Sequence, residues 1–226
     1  MNKRLELIAS ILPHGRGFAD VGTDHGYLPV YMAQHGYSGK IIASDINEGP
    51  LSTAVASARQ AGVEDRICFR LCDGLDGCGS EELDTVVIAG MGGDTICGIL
   101  DRADWVMSRD ILLILQPMTK AEVLRYWLTN NDFAICGEWL IEENGEIYQI
   151  LSARFGARTP LSDAELFTGK YELAAGNALF PVQLAALIKR FERAAAGMSK
   201  APRMRGRQKL TVEILNGLYE MRDAVL

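Results

Sequence analysis

The sequence lacks several features that would define whole classes of protein. No run of about 18 apolar residues occurs, so no transmembrane helix is expected. The first residues lack the apolar stretch and the small-residue cleavage site of a signal peptide. The five cysteines form no Cys-x-x-Cys pair and only three histidines are present, which argues against disulfides and against a metal site. We therefore expect a cytoplasmic protein with reduced thiols and with neither membrane nor metal partners.

The chain also lacks a net positive charge. Its 226 residues carry a formal charge of −6, which by itself argues against a nucleic-acid partner. The charge is uneven, however: residues 1–155 hold 12 Lys/Arg against 22 Asp/Glu, whereas residues 156–226 hold 11 against 7. One basic window contains Lys189, Arg190, Arg193, Lys200, Arg203, Arg205, Arg207 and Lys209. Such a cluster can bind phosphates, although a solvated basic helix face would explain it as well.

Strand and helix patterns alternate along the first 155 residues. Predicted strands cover 17–21, 40–44, 66–71, 85–89 and 111–115. Among the helices between them, one at 119–129 is expected to begin with Thr119 as N-cap and Glu122 completing a capping box. Asn144-Gly145 predicts a hairpin between two further strands. The alternation predicts a Rossmann-like α/β fold, with helices on both faces of a parallel sheet. A closing hairpin is typical of its methyltransferase variant, whose last strand is antiparallel.

The pattern changes after residue 155, where strand signals end. A helix is predicted at 181–196, with Leu184, Leu187, Ile188 and Phe191 on its apolar side. A breaker segment follows at 197–203. A second helix is predicted at 208–225, with an apolar stripe of Leu210, Ile214, Leu218 and Met221. We therefore predict two domains, 1–155 and 156–226, the second being a small coiled-coil-like helical hairpin.

The first motif, DVGTDHGY at residues 20–27, follows a strand and opens a helix. Gly22 permits a tight turn close to a ligand, and Gly26 lets the start of the helix pack near the sheet. In dinucleotide enzymes such a loop holds a pyrophosphate. Here Asp20 and Asp24 would repel a diphosphate but favour a sulfonium cofactor that carries an ammonium group. The motif thus favours S-adenosylmethionine over NAD, although an ordinary strand-to-helix turn remains an alternative.

Further candidates follow the other strands, whose carboxyl ends meet in one crevice. Asp45 can accept both ribose hydroxyls of a nucleoside, or cap a helix. Asp73, before Gly74, can accept from an adenine amino group, or simply form a turn. The glycine-rich segment 89–93 lets a flat substrate approach the backbone, and Gln116-Pro117 is a candidate for lining the substrate pocket. The predicted cofactor-binding set is Asp20, Gly22, Thr23, Asp24, Gly26, Asp45, Ile46, Asp73, Gly74, Ala89, Gly90, Met91 and Gly92.

Together these blocks resemble a known family. The segments ADVGTDHGYLP (19–29), DGL (73–75), IAGMGG (88–93) and LQP (115–117) are similar to those of the bacterial tRNA (adenine-N1)-methyltransferases that modify the D-arm adenine at position twenty-two. The resemblance implies a Rossmann-like catalytic domain, a helical C-terminal domain, S-adenosylmethionine as cofactor and tRNA as substrate. The C-terminal similarity is one of architecture. A methyltransferase acting on a small molecule or protein, with the tail used for dimerisation, is the first alternative; a non-catalytic Rossmann module or a nicotinamide oxidoreductase is the second.

Residue roles follow as hypotheses. Attack by adenine N1 creates positive charge, which a nearby carboxylate would stabilise. We assign that catalytic role to Asp24, with cofactor binding or capping of the loop as the alternative, and expect His25 and Tyr27 to place or stack the base. The predicted substrate contacts are Gln116, Pro117, Lys189, Arg190, Arg203, Arg205 and Arg207. The expected oligomeric state is a monomer or a weak homodimer.

Overall fold

A computed structural model describes residues 1–107, 111–156, 158, 160–198 and 205–225. Its centre is a seven-stranded sheet with the order β3-β2-β1-β4-β5-β7-β6. Every pairing is parallel except those of β7, which lies antiparallel between β5 and β6. The strands are β1 (Gly17–Val21), β2 (Lys40–Asp45), β3 (Ile67–Leu71), β4 (Thr85–Gly92), β5 (Leu112–Thr119), β6 (Phe133–Glu143) and β7 (Glu146–Phe155). The predicted Rossmann-like α/β class, with its antiparallel insertion, is confirmed.

Helices cover both faces of this sheet. They are α1 (Lys3–Ile11), α2 (Tyr27–Gln34), α3 (Glu48–Gln60), α4 (Gly93–Asp101) and α5 (Ala121–Asn130), with short 3₁₀ turns at Glu64–Arg66 and Asp104–Val106. Ile114 of β5 packs with α1, α2 and α3, whereas its neighbours Leu113 and Leu115 pack with α4 and α5. A strand buried on both faces explains why this segment is apolar throughout.

The β6–β7 turn confirms the Asn-Gly hairpin. Asn144 has φ 53° and Gly145 has φ 82°, and two consecutive positive φ angles define the type I′ turn that matches the twist of paired strands. Glu143 pairs with Glu146 across the turn, and pairing continues to Phe133 opposite Phe155. The long hairpin therefore closes the sheet at the β5 edge.

The regular elements after β7 are all helices, within the part of the chain that the structure describes. They are α6 (Glu165–Thr168), α7 (Tyr171–Ala174), α8 (Phe180–Met198) and α9 (Arg205–Val225), and α8 packs along α9 as predicted. Among these described residues, no helix is long and apolar enough to cross a membrane. Leu184, Ile188 and Phe191 are buried with Ile214 and Leu218 in a third apolar cluster.

Three details of the tail prediction are wrong. The predicted apolar stripe includes Leu210, yet this side chain is 45% exposed, because the buried face of α9 runs through Thr211, Ile214 and Leu218 instead. Gly197 does not break α8, which continues to Met198. The short helices α6 and α7 have no counterpart among the predicted elements. The division at residue 155 stays a prediction, since Leu140 of β6 packs within the third cluster.

Two local predictions in the first part are also wrong. Thr119 does not cap α5: it pairs with Gly92 at the end of β5, and Lys120, with φ 56°, precedes the helix instead. The pairing of Thr119 with Gly92 therefore replaces the capping box predicted for Thr119 and Glu122. A Cβ added to Gly26 would lie 3.0 Å from Cβ of Ala54, so this glycine permits contact with α3 rather than with the sheet.

A buried ion pair joins the sheet to the C-terminal helices. Arg125 of α5 donates through Nε and Nη2 to the Glu138 carboxylate, at 2.9 and 3.2 Å, and both side chains are almost fully buried. The same guanidinium donates to the Leu166 carbonyl at 2.9 Å and to Gln149 Oε1 at 2.6 Å. A Cβ on Gly169 would collide with the Glu138 carboxylate. The chain after β7 is therefore fixed to the sheet by this cluster, which we call the Arg125 bridge.

Candidate functional site

The first motif forms the turn between β1 and α2. Gly22 has φ 74°, which favours glycine, and its N–H donates to the Ser44 carbonyl at 2.8 Å. The Thr23 N–H donates to the same carbonyl at 2.9 Å. This double contact fixes the loop against the end of β2. The end of β2 carries Asp45, so the first two predicted motifs are held together.

A cavity of about 480 Å³ lies at the carboxyl ends of β1, β2 and β4, and we call it the large cavity. Of the predicted cofactor-binding residues, its lining contains Gly22, Asp45, Ile46, Asp73, Gly74, Ala89, Gly90 and Met91. Ser44 also lines it, and its buried hydroxyl has no hydrogen-bond partner among the described residues. An unsatisfied buried hydroxyl beside a cavity indicates a polar ligand.

Both carboxylates of the large cavity are oriented by neighbours. Asp45 Oδ1 accepts from the Asn47 N–H at 2.8 Å, which leaves Oδ2 for a ligand. Asp73 Oδ1 accepts from Arg102 Nη2 at 2.8 Å. Asp45 is not the N-cap of α3, because Asn47 occupies that position. The nucleoside interpretation of Asp45 therefore has a structural basis that helix capping does not supply.

A second cavity of about 170 Å³ adjoins the first and shares Gly22, Ala89 and Gly90 with it. We call it the small cavity. Asp20, Thr23 and Asp24 line it from the loop after β1. Asp20 is buried and accepts a hydrogen bond from Thr23 Oγ1 at 2.7 Å. Burial raises the pKa of Asp20 to about 6; the Thr23 hydrogen bond opposes this rise, and the nearby Asp45 adds to it.

The three residues predicted to be catalytic lie at the mouth of the small cavity or beside it. Asp24 has φ 42°, an uncommon conformation for a residue other than glycine, and its side chain is 71% exposed. Tyr27 lines the small cavity with an exposed ring. His25 lines neither cavity: its ring stacks on Tyr27 at 5.2 Å, and Nε2 lies 3.7 Å from Asp24 Oδ2. His25 thus contacts the side chains of both Asp24 and Tyr27.

Gln116 lines the small cavity, but its amide is engaged within the protein. Its Oε1 accepts from the Gly90 N–H at 3.0 Å and from Arg4 Nη1 at 3.3 Å, and its Nε2 donates to the Pro117 carbonyl. Gln116 therefore shapes the glycine-rich turn after β4. Of the other predicted cofactor residues, Gly26 and Gly92 line neither cavity; Gly92 is the N-cap of α4.

Sequence reasoning missed the contribution of α1. Asn2, Arg4 and Leu5 line the small cavity. Arg4 also pairs with Glu143 and lies over the Tyr148 ring at 4.3 Å. No short-range signal links residue 4 to residues 143 and 148. Further lining residues of the large cavity that sequence reasoning missed are Val21, Ser44, Asn47, Cys72, Thr95, Gly98, Ile99 and Arg102.

The predicted substrate contacts outside the two cavities divide into two groups. Pro117 and Arg190 line a third cavity of about 370 Å³ between the sheet and the C-terminal helices, which we call the interdomain cleft. Lys189 and Arg207 are exposed and line no cavity described above. Arg205 begins α9, whereas Arg203 and the side chain of Arg205 lie outside the described residues. Within the described ranges, no group of three or more His, Cys, Asp or Glu side chains could hold a metal ion.

Comparisons with known proteins agree with this geometry. A model of the methyltransferase domain matches residues 1–151. The tRNA (adenine(22)-N(1))-methyltransferase of Bacillus subtilis is 34% identical over 185 residues, which are 80% of this chain and 78% of that protein. A putative tRNA methyltransferase of Mycoplasma pneumoniae is 32% identical over 156 residues, 67% of this chain and 70% of that protein.

Solved structures extend the similarity to the C-terminal helices. The crystal structure of the Bacillus subtilis enzyme has a TM-score of 0.89 with 29% identity and covers 98% of both chains. A putative tRNA methyltransferase of Streptococcus pneumoniae, in complex with S-adenosylmethionine, has a TM-score of 0.84 with 29% identity and covers 98% of this chain and 99% of that one. These matches show that the chain belongs to the bacterial tRNA (adenine-N1)-methyltransferase family and is an S-adenosylmethionine-dependent enzyme.

Proposed function

We propose that this protein transfers a methyl group from S-adenosylmethionine to N1 of the D-arm adenine at position twenty-two of tRNA. One observation carries the residue assignment. The large cavity, with carboxylates for a nucleoside, opens beside a small cavity lined by Asp20 and Asp24. A cofactor with a neutral nucleoside and a cationic end matches that distribution of charge. The family supports tRNA as the substrate, and with it we propose a cytoplasmic setting.

The adenosine part of the cofactor belongs in the large cavity. Asp45 Oδ2 is available to accept from ribose hydroxyls, and the orphaned Ser44 hydroxyl supplies a further polar group. Asp73, held by Arg102, is placed to accept from the adenine amino group. Gly90 has φ 80° and open space at its Cβ position, so the backbone there allows close approach of a flat ring.

The methionine part belongs in the small cavity. The buried Asp20 carboxylate would pair with the ammonium group, and Thr23 orients that carboxylate. Pairing would favour the ionised form of Asp20, whose pKa is raised chiefly by burial and further by the nearby Asp45. When bound, the cofactor would supply a methyl group on a sulfonium that leaves readily, so the main task of the protein's residues would be alignment of the two reactants.

Asp24 and Tyr27 would act on the target base. The exposed Tyr27 ring offers a stacking surface for an adenine turned out of the RNA. The exposed Asp24 carboxylate can stabilise the charge that develops as N1 is methylated, or accept a proton from N6. His25 would keep both side chains in place through its contacts with them.

The C-terminal helices would hold the tRNA by its phosphates. Lys189, Arg190 and Arg207 are exposed on α8 and α9, and Arg205 begins α9. We refer to Arg203, Arg205 and Arg207 as the tail arginines. The contacts of the tail arginines with tRNA phosphates would offset the free energy of a few kcal/mol that unpairing and turning out the target base require.

The test is incubation with bacterial tRNA and a labelled methyl donor, followed by mapping of the modified base. Asp24→Ala should lower kcat at least tenfold while leaving cofactor Kd within about twofold, because Asp24 acts on the base. Asp76→Ala, which removes an exposed carboxylate outside all three cavities, is the matched control. Unchanged turnover of Asp24→Ala would end the catalytic role, and lost cofactor binding alone would assign Asp24 to the cofactor.

A further inference from the structure

Apart from Arg190, whose phosphate contact is proposed above, the residues of the interdomain cleft are not used by the mechanism. One wall is formed by the end of β5 and the start of α5 and β7, including Pro117, Lys120 and Tyr148. The other wall is formed by Phe167 of α6 and Arg190 of α8. Its volume of about 370 Å³ falls in the range of ligand pockets, roughly 300–1,000 Å³. We propose that this cleft binds the base of a nucleotide next to the target adenine, an inference that rests on the proposed function.

Position is the first argument. Pro117, in the cleft, is the ladder partner of Met91, which lines the large cavity. Gln116, one residue earlier, lines the small cavity. Neighbouring strands lie about 4.8 Å apart, so the cleft begins one strand spacing from the cofactor site. Arg4 of the small cavity also lies 4.3 Å from the ring centre of Tyr148 in the cleft, so one pair of side chains separates the two cavities, and the nucleotide next to the reacting adenine is the natural occupant.

The aromatic side chains are the second argument. Phe167 and Tyr148 bring rings from opposite walls into the cleft lining. Each is already paired with a guanidinium: Arg190 lies 5.8 Å from the Phe167 ring centre, and Arg4 lies 4.3 Å from that of Tyr148. Aromatic and guanidinium planes are the surfaces on which proteins stack unpaired RNA bases.

Charge selects a base over a phosphate. Glu122 and Glu146 line the cleft and would repel a phosphate placed within it, and Lys120 is already paired with Asp94 outside it. Carboxylates accept hydrogen bonds from the exocyclic amino groups of adenine, cytosine and guanine. Arg190 forms no ion pair with a carboxylate of the described residues, so it remains available to the phosphate that follows the bound base. A base with an amino group should therefore bind better than uracil, whose single N3–H donor lies between two carbonyl oxygens that the carboxylates would repel.

The first experiment measures tRNA methylation by Arg190→Ala beside Arg222→Ala. Arg222 is an equally charged, exposed residue on α9 that does not line the cleft, so its replacement controls for the loss of one positive charge. We expect Arg190→Ala to raise KM for tRNA about tenfold, with kcat and cofactor Kd within twofold, and Arg222→Ala to change KM less than twofold. Equal KM values for the two variants would overturn the proposal.

The second experiment tests stacking directly by a double-mutant cycle. Phe167→Leu keeps apolar volume against Phe191 but removes the aromatic face. Synthetic tRNAs carry an abasic site, or a uridine, at single positions on either side of the target. At one of these positions, the abasic site and the uridine should each raise the KM of the wild-type enzyme for tRNA about tenfold. The same two replacements should change the KM of Phe167→Leu less than twofold. Additive effects at every position would overturn the proposal.

The two proposals fail in different ways. If the wild-type enzyme does not methylate adenine N1 in unaltered tRNA, the proposed function is wrong. If it does, but the cycle is additive and Arg190→Ala behaves as Arg222→Ala, the nucleotide subsite and the phosphate contact of Arg190 are wrong, whereas the methyl transfer itself stands.

Discussion

The buried carboxyl of Asp20 should make cofactor binding depend on pH. Burial raises its pKa to about 6 in the free protein, and the proposed partner, the ammonium group of S-adenosylmethionine, needs the ionised form. Affinity should therefore increase as pH rises through about 6. The pH range in which cofactor affinity reports on Asp20 alone ends near pH 7. Above that pH the α-amino group of the cofactor begins to lose its proton, since such groups have a pKa of about 7.7–8.0.

The size of the effect follows from the ionised fraction of Asp20. Below its pKa of about 6 that fraction falls about tenfold per pH unit, and the apparent Kd rises in proportion. Calorimetric titration should therefore give a Kd about tenfold weaker at pH 5 than at pH 7, which corresponds to about 1.4 kcal/mol.

Asp20→Asn should bind the cofactor weakly at every pH, with no slope between pH 5 and pH 7. Asp76→Asn, an exposed carboxylate outside the cavities, should keep both the wild-type affinity and the wild-type slope. A wild-type Kd that stays constant over this range, or an Asp20→Asn variant that retains the slope, would refute the pairing.

The free energy of unfolding should fall as pH rises, in the opposite direction to cofactor affinity. The folded chain keeps the Asp20 proton up to about pH 6, whereas the unfolded chain releases it near 3.8. The unfolded state therefore binds fewer protons between these values, and the free energy of unfolding should fall by about 2 kcal/mol as pH rises from about 4 to about 6, out of about 3 kcal/mol over the whole titration. Urea titrations of the wild type and Asp20→Asn would isolate this contribution, since the variant lacks the carboxyl.

Three further predictions concern the loop, the bridge and the tail. Gly22→Ala and Gly62→Ala, both at positive φ, should each lower the free energy of unfolding by about 1 kcal/mol in urea titrations. Only Gly22→Ala should also weaken cofactor binding, because only its Cβ would displace Met91 in the large cavity. Equal cofactor affinities of the two variants would contradict this. Arg125→Met should lower the free energy of unfolding by about 3–5 kcal/mol, since it leaves the Glu138 carboxylate buried and unpaired, and a decrease under about 1 kcal/mol would show that water reaches that carboxylate. Replacing all three tail arginines with Ala should weaken tRNA binding and reduce its salt slope by about one for each phosphate that the variant no longer binds, whereas equal binding would exclude the tail.

Much of the sheet could be predicted because its signals are local. Apolar runs such as Ile111–Leu115 and the Asn144-Gly145 turn depend on neighbours in sequence, and the structure places them as expected. The rule that parallel strands end in one crevice then brings Asp45 and Asp73 into the same cavity lining without knowledge of any distance. Local rules failed at Thr119, where pairing with Gly92 on another strand decides the conformation.

What could not be predicted depends on contacts between distant residues. Arg4 reaches Glu143 and Gln116 only because α1 packs against β6 and β7, and its own helix gives no sign of this. The same holds for Leu210, whose apolar character suggests burial although it lies off the packed face of α9. The interdomain cleft combines β5, β7, α6 and α8, and no single segment of sequence encodes it.

The Arg125 bridge has a consequence for how the enzyme would choose its target. Its guanidinium holds a carbonyl of α6 and a carboxylate of β6 at once, so the C-terminal helices are not tethered by a loose linker. If these helices bind the tRNA, the protein sets the distance between that binding surface and the methyl donor. The molecule would then act as a ruler, which selects an adenine by how far it lies from a feature of tRNA shape. Lengthening the segment between β7 and α6 should not shift the modified position, since the bridge, and not the linker, sets the length.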